Sequence, residues 1–270
     1  MIELIVDSVA VPVLVAIALL LIPRMPWCAE SGQRTAAWTA PLAIAIVTAM
    51  SLYSVEGAAI LKFEQRWNTL LLVGAVVGVG AAIARGSAAM GAGAAFLALF
   101  LLRLPGFDGI ADRVLIGLAG AVMSFVMRKP MHSAPILATL ATAVPLLSLA
   151  ALLASVGSMK IALLAGALGG TATACGALTW WGPRFWGGHA FATAATTMAV
   201  AITAYGAAYH ADADVFRGAW WLVAASPALM AIATISGVRS SRVRTCCAIG
   251  FCLVIALCVV IVAVVIARQG

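Results

Sequence analysis

Along this chain apolar residues run on for about 20 positions at a time, the length a helix needs to cross a hydrocarbon core about 30 Å thick. Polar and charged residues gather in short clusters between the runs. The pattern predicts spans near 3–22, 40–61, 68–84, 87–102, 111–127, 134–154, 160–180, 189–209, 217–236 and 246–267. A β-barrel would alternate apolar and polar positions within segments of about ten residues, whereas these runs are apolar throughout. The expected fold is therefore all-α: a polytopic transmembrane helix bundle of about ten helices. The least distinct boundary is Arg85-Gly86-Ser87, where two short spans meet with almost no loop, leaving room for a re-entrant pair or one long kinked helix.

Composition removes the soluble alternative. The chain is 64% hydrophobic and 9% charged, with a mean hydropathy of +1.13, which leaves too little polar surface to face water. No stretch between runs is long enough for a second core, so residues 1–270 form one membrane domain. The first span opens with Glu3 and Asp7 and no basic residue, which favours a retained helix over a cleaved signal. Cys28, Cys175, Cys246, Cys247, Cys252 and Cys258 show no paired spacing for a disulfide frame or a metal.

The sixteen Lys and Arg against nine Asp and Glu form no basic face for nucleic acid and read instead as topology. Alternating the connections between two sides collects Arg24, Arg34, Arg85, Arg128, Lys129, Arg184, Arg239, Arg242 and Arg244 on one side, opposed only by Glu30. That side is expected to be cytoplasmic, with both chain ends on the non-cytoplasmic face of a cell membrane (plasma or inner). All eight tryptophans lie near span ends, where headgroups favour them.

Rare tokens recur in order. Asp7-Ser8-Val9, Arg24-Met25-Pro26 and Ala40-Pro41 are echoed by Asp112-Arg113-Val114, Arg128-Lys129-Pro130-Met131 and Ala134-Pro135. This suggests a parallel four-helix repeat with units 1–104 and 105–210 and a half-unit 211–270. Its glycine-rich helices, carrying Gly74, Gly78 and Gly80 and then Gly166, Gly169 and Gly170, suit close helix approach.

Ionisable and polar groups within lipid are costly and so mark candidates. Glu56 is the one carboxylate inside an apolar run; it suits a coupled proton or cation, or simply a pairing with Lys62 or Arg66. His189 shares a helix face with Thr193, Thr196 and Thr197, a polar track unless the threonines bond back to their own backbone. Arg85 sits at a helix break where it suits lipid phosphate or an anionic solute. The transport-path candidates are thus Glu56, Arg85, His189, Thr193 and Thr197.

No metalloprotease, phosphate-loop or haem-ligand spacing is present, and Thr234-Ile235-Ser236-Gly237 lacks the first glycine of an intramembrane serine-protease turn. Neither an enzyme, a cofactor nor a metal is expected. In size alone the chain resembles small-molecule permeases of the drug and metabolite type, whose inverted five-helix halves a four-helix repeat does not reproduce. The expected function is a small permease or channel-like protein moving a small solute or lipid. The alternative is a non-transporting scaffold or accessory subunit. Expected partners are membrane lipids, a membrane protein or a second copy.

Overall fold

The computed structural model describes residues 2–24, 32–63, 65–84, 87–105, 109–182, 187–210 and 220–228. It is mostly helical, without a strand among the described residues. Seven helices there are long and apolar enough to span a bilayer: Ile2–Leu21, Thr35–Lys62, Arg66–Ala84, Ile110–His132, Pro135–Ser155, Met159–Trp181 and Gly188–Tyr209. They coincide with seven of the expected spans. The tenth span and much of the ninth lie outside the described residues, apart from a short helix over 220–228.

Within these spans the elements are α1 (Ile2–Ile5), α2 (Val11–Leu21), α3 (Gly32–Glu56), α4 (Thr69–Ala84), α5 (Ala88–Phe100), α6 (Ile110–Val126), α7 (Arg128–Ser133), α8 (Pro135–Ser155), α9 (Met159–Trp181) and α10 (Gly188–Tyr209). A π-helical turn, Val6–Ala10, joins α1 to α2 just before Pro12. Proline has no N–H for the carbonyl four residues back, that of Ser8. In compensation Ser8 O accepts the Ser51 hydroxyl of α3 at 2.7 Å, so a local defect is repaired by a tertiary contact.

The fourth expected span is a helix of 13 residues. At 1.5 Å per residue it covers roughly 20 Å and stops short of a full crossing. The chain finishes the layer as non-helical backbone in which Leu102 and Leu104 are buried, the setting in which irregular backbone is tolerated at membrane depth. At the ambiguous boundary the chain turns back. A Cβ on Gly80 of α4 would sit 2.7 Å from the Cβ of Ala94 on α5, which puts residues equidistant from Ser87 side by side. The two helices form a hairpin, not one kinked rod.

Glycines set the other close packings as well. A Cβ on Gly78 would meet Ala45 Cβ at 2.6 Å, joining α4 to α3, and one on Gly169 would meet Leu147 Cδ2 at 2.7 Å, joining α9 to α8. Each glycine-rich helix therefore packs on the helix before it, and small residues there let the backbones approach.

The helix in the middle is α10. Every residue from His189 to Ala207 is buried, and the helix packs against α3, α4, α5, α6, α7, α8 and α9. A helix composed largely of alanine, threonine and glycine is slender enough for such a position. The tryptophans divide accordingly. Trp38, Trp180 and Trp181 are exposed as headgroup anchors should be, but Trp67 and Trp220 belong to the core. The Trp220 ring lies against Gly206, where a Cβ would come within 2.3 Å of it; the absent side chain on α10 is what admits the indole.

Candidate functional site

Contacts between helix ends sort the bundle into two layers. One layer joins the end of α3 to the start of α9, the start of α4 to the segment after α5, and the start of α9 to the end of α10. The other joins the starts of α5 and α10 to the end of α6. Connections therefore alternate between two sides, as expected from the sequence, and α10 presents one end to each.

At the first end Glu56 Oε1 pairs with Lys160 Nζ, tying α3 to α9. The sequence offered Lys62 or Arg66 for this pairing; the structure supplies Lys160. The Lys160 side chain is 57% exposed and Glu56 11%, and Lys160 also lies 5.8 Å from the centroid of the Trp67 ring. Ser158 and His210 share a hydrogen bond of 2.6 Å between Oγ and Nε2, and the His210 ring stacks on Trp220. Burial pushes the His210 pKa below its ordinary value.

At the second end a cluster of buried polar groups takes the place of the ion pair. His189, only 5% exposed, opens α10. Its Nε2 lies 2.7 Å from Ser124 O on α6. A carbonyl only accepts, so Nε2 carries the hydrogen. In the uncharged ring Nδ1 is then a bare lone pair, and it is buried with no hydrogen-bond partner among the described residues. One turn on, Thr193 Oγ1 shares a 2.7 Å hydrogen bond with Ser124 Oγ. Ser124 thus binds both residues of α10, one through its carbonyl and one through its hydroxyl.

The fourth member is Gly91 of α5. A Cβ there would lie 3.2 Å from Thr193 Oγ1, 3.4 Å from His189 Cε1 and 3.6 Å from His189 Nδ1. The missing methyl leaves a small space bounded by the orphaned nitrogen and the threonine hydroxyl. Thr196 and Thr197 take no part: Thr196 Oγ1 donates to Ala192 O at 2.7 Å and Thr197 Oγ1 to Thr193 O at 2.6 Å. The polar track thus shortens to its first turn, while the rest of it satisfies itself along the helix.

Of the sequence candidates, the structure brings His189 and Thr193 into one cluster, leaves Thr197 beside it on the same helix, and places Glu56 at the opposite end. Arg85 lies outside the described residues. Ser124 escaped the sequence reading because one serine in an apolar run carries no pattern. Gly91 was visible only as one more small residue. No protein-family model, curated protein or solved structure matches the chain.

Proposed function

We propose that this chain is a small multi-pass membrane carrier, not an enzyme, and that a small polar solute passes along the first half of α10. The observation that carries this reading is the His189–Ser124–Thr193 cluster: an ionisable ring and two hydroxyls held between helices inside the bundle, where such groups are expensive and usually functional. Support comes also from the place of α10, which touches α3, α4 and α5 of the first repeat unit and α6, α8 and α9 of the second. A path along it would run between the units, as in carriers built from repeats.

Glycine packing supports a carrier over a scaffold. A partner-binding subunit would keep a flat small-residue face free; Gly78, Gly80 and Gly169 are filled by side chains of neighbouring helices, and Gly93 on α5 stays open. The scaffold or accessory-subunit reading draws on the self-satisfied hydroxyls of Thr196 and Thr197, which suit a rigid post as well as a path. In orientation, the proposal places the end bearing Arg128, Lys129 and His189 in the cytoplasm and both chain ends outside a cell membrane.

The test needs no substrate. With the native cysteines replaced, Thr193→Cys and Thr197→Cys are exposed to a membrane-impermeant thiol reagent in vesicles of each orientation. A carrier opens this turn to water, and labelling is expected from the cytoplasmic side. Absence of labelling from either side would contradict the carrier and favour the scaffold.

A further inference from the structure

The vacant nitrogen at the start of α10 leads further. We infer that Nδ1 of His189 is the proton-binding site of this protein, and that the coupling ion is a proton held there and not at Glu56. The inference rests on the carrier reading for its purpose, but not for its chemistry.

The ring is oriented by a bond it cannot exchange. Nε2–H donates to Ser124 O, so rotation or tautomer change would leave that contact unmade. One basic atom remains, and it has no donor among the described residues. It borders the space left by the missing Gly91 side chain, with Thr193 Oγ1 on the same border. That space is no larger than a methyl group, so it admits a proton and excludes an organic solute. A proton arriving at Nδ1 turns a buried acceptor into a donor, for which Thr193 Oγ1 on the same border is an acceptor, at the cost of creating a charge.

The surroundings govern that cost. Arg128 and His132, at the α6–α7 junction, lie within electrostatic reach of the ring, and both oppose a second positive charge when charged themselves. Arg34, near the start of α3, and Lys129, in α7, share the His189 end; the remaining charges on the helices packed against α10 are Glu56 closing α3, Lys160 opening α9, and Asp112 and Arg113 opening α6. These four sit at the far ends of their helices from His189, and α4, α5 and α8 carry no ionisable side chain. A charge at Nδ1 therefore has to be offset by acid or by opening to water. Glu56, already paired with Lys160 at the other end, has no comparable vacancy.

The direct experiment is nitrogen NMR on the full chain in lipid bilayers, with its histidines labelled with ¹⁵N. The His189 signal is assigned by its loss in His189→Gln, whose amide keeps a donor for Ser124 O. At neutral pH the expected spectrum has Nε2 protonated and Nδ1 bare. On acidification Nδ1 gains a proton, and Gly91→Ala, which fills the vacancy, moves that titration while leaving the His210 signal in place. If Nδ1 carries the hydrogen in the neutral ring, or if it never titrates while the protein remains folded, the assignment is overturned.

A second arm separates this from the carrier proposal. Labelling of Thr193→Cys is measured across pH with and without His189→Gln. Proton coupling requires pH-dependent labelling that His189→Gln abolishes and Glu56→Gln preserves. Labelling that ignores pH in both backgrounds leaves a carrier but removes the proton site.

Discussion

The two ends of α10 solve the same problem in opposite ways. At the Glu56 end, charged groups are present but paired, and the lysine of the pair reaches water. At the His189 end no formal charge is needed to build the cluster, yet one nitrogen is buried without a donor among the described residues. A charge at a wet rim is cheap and gives little information, whereas a neutral group left incomplete within a packed interior is costly and calls for a reason. Counting carboxylates in apolar runs leads to Glu56; accounting for hydrogen bonds leads to His189.

The strongest way to break this contrast is steric. Gly91 and Gly93 lie on the same short helix, but a Cβ on Gly93 would meet nothing within 4 Å. Gly91→Val is expected to cost about 1–3 kcal/mol by overpacking against His189 and Thr193, while Gly93→Val is neutral or slightly stabilising. Thermal unfolding in nanodiscs compares the two; equal melting temperatures would show that the vacancy is not bounded as described.

A smaller effect comes from Ser124→Ala. It removes the hydroxyl shared with Thr193 but keeps the carbonyl that orients His189, for an expected loss of roughly 1 kcal/mol, in keeping with hydrogen bonds between membrane helices. The same substitution leaves the His189 tautomer unchanged by NMR. A tautomer switch would mean that the hydroxyl, not the carbonyl, holds the ring.

At the other end, Glu56→Gln and Lys160→Met are each expected to cost less than about 1 kcal/mol, because the pair is partly solvated. Their effects should shrink in high salt and should not add in the double variant. A large, salt-independent loss would move the weight of the account back to Glu56.

The smallest expected effect is on pH. A histidine with its pKa lowered by burial binds fewer protons folded than unfolded. His210 therefore contributes stability that is present above its ordinary value of 6.5 and is lost as the pH falls from there through the lowered folded value. A mild decline in melting temperature over that acid window, reduced in His210→Gln, is the expected outcome. A rise in stability with acid would contradict the burial.

Much of the fold was legible because lipid leaves so few options. Continuous apolar runs had to be helices, and their ends fell where Arg, Lys and Trp cluster. Subtler features depend on who neighbours whom. Trp67 and Trp220 have the sequence positions of headgroup anchors, and only the notch at Gly206 reveals one of them as core. The shortness of α5 hides behind Leu101 and Leu102, which continue its apolar run but not its helix. In the site, His189 and Thr193 were readable from spacing on one helix. Their link to Ser124 spans sixty-five residues or more, and no periodicity reports a contact made across helices.

The central claim is that the contact between α6 and α10 opens and closes. Ser124 Oγ and Thr193 Oγ1 lie 2.7 Å apart, close enough for cysteines at both positions to be joined as a disulfide. The decisive measurement is thiol labelling of Thr197→Cys in that double-cysteine background, read at the peptide that carries position 197, oxidised and then reduced. The account predicts labelling from the cytoplasmic side that is lost when the two helices are tied and regained on reduction. Labelling that is the same in both states, or absent from both, would contradict it.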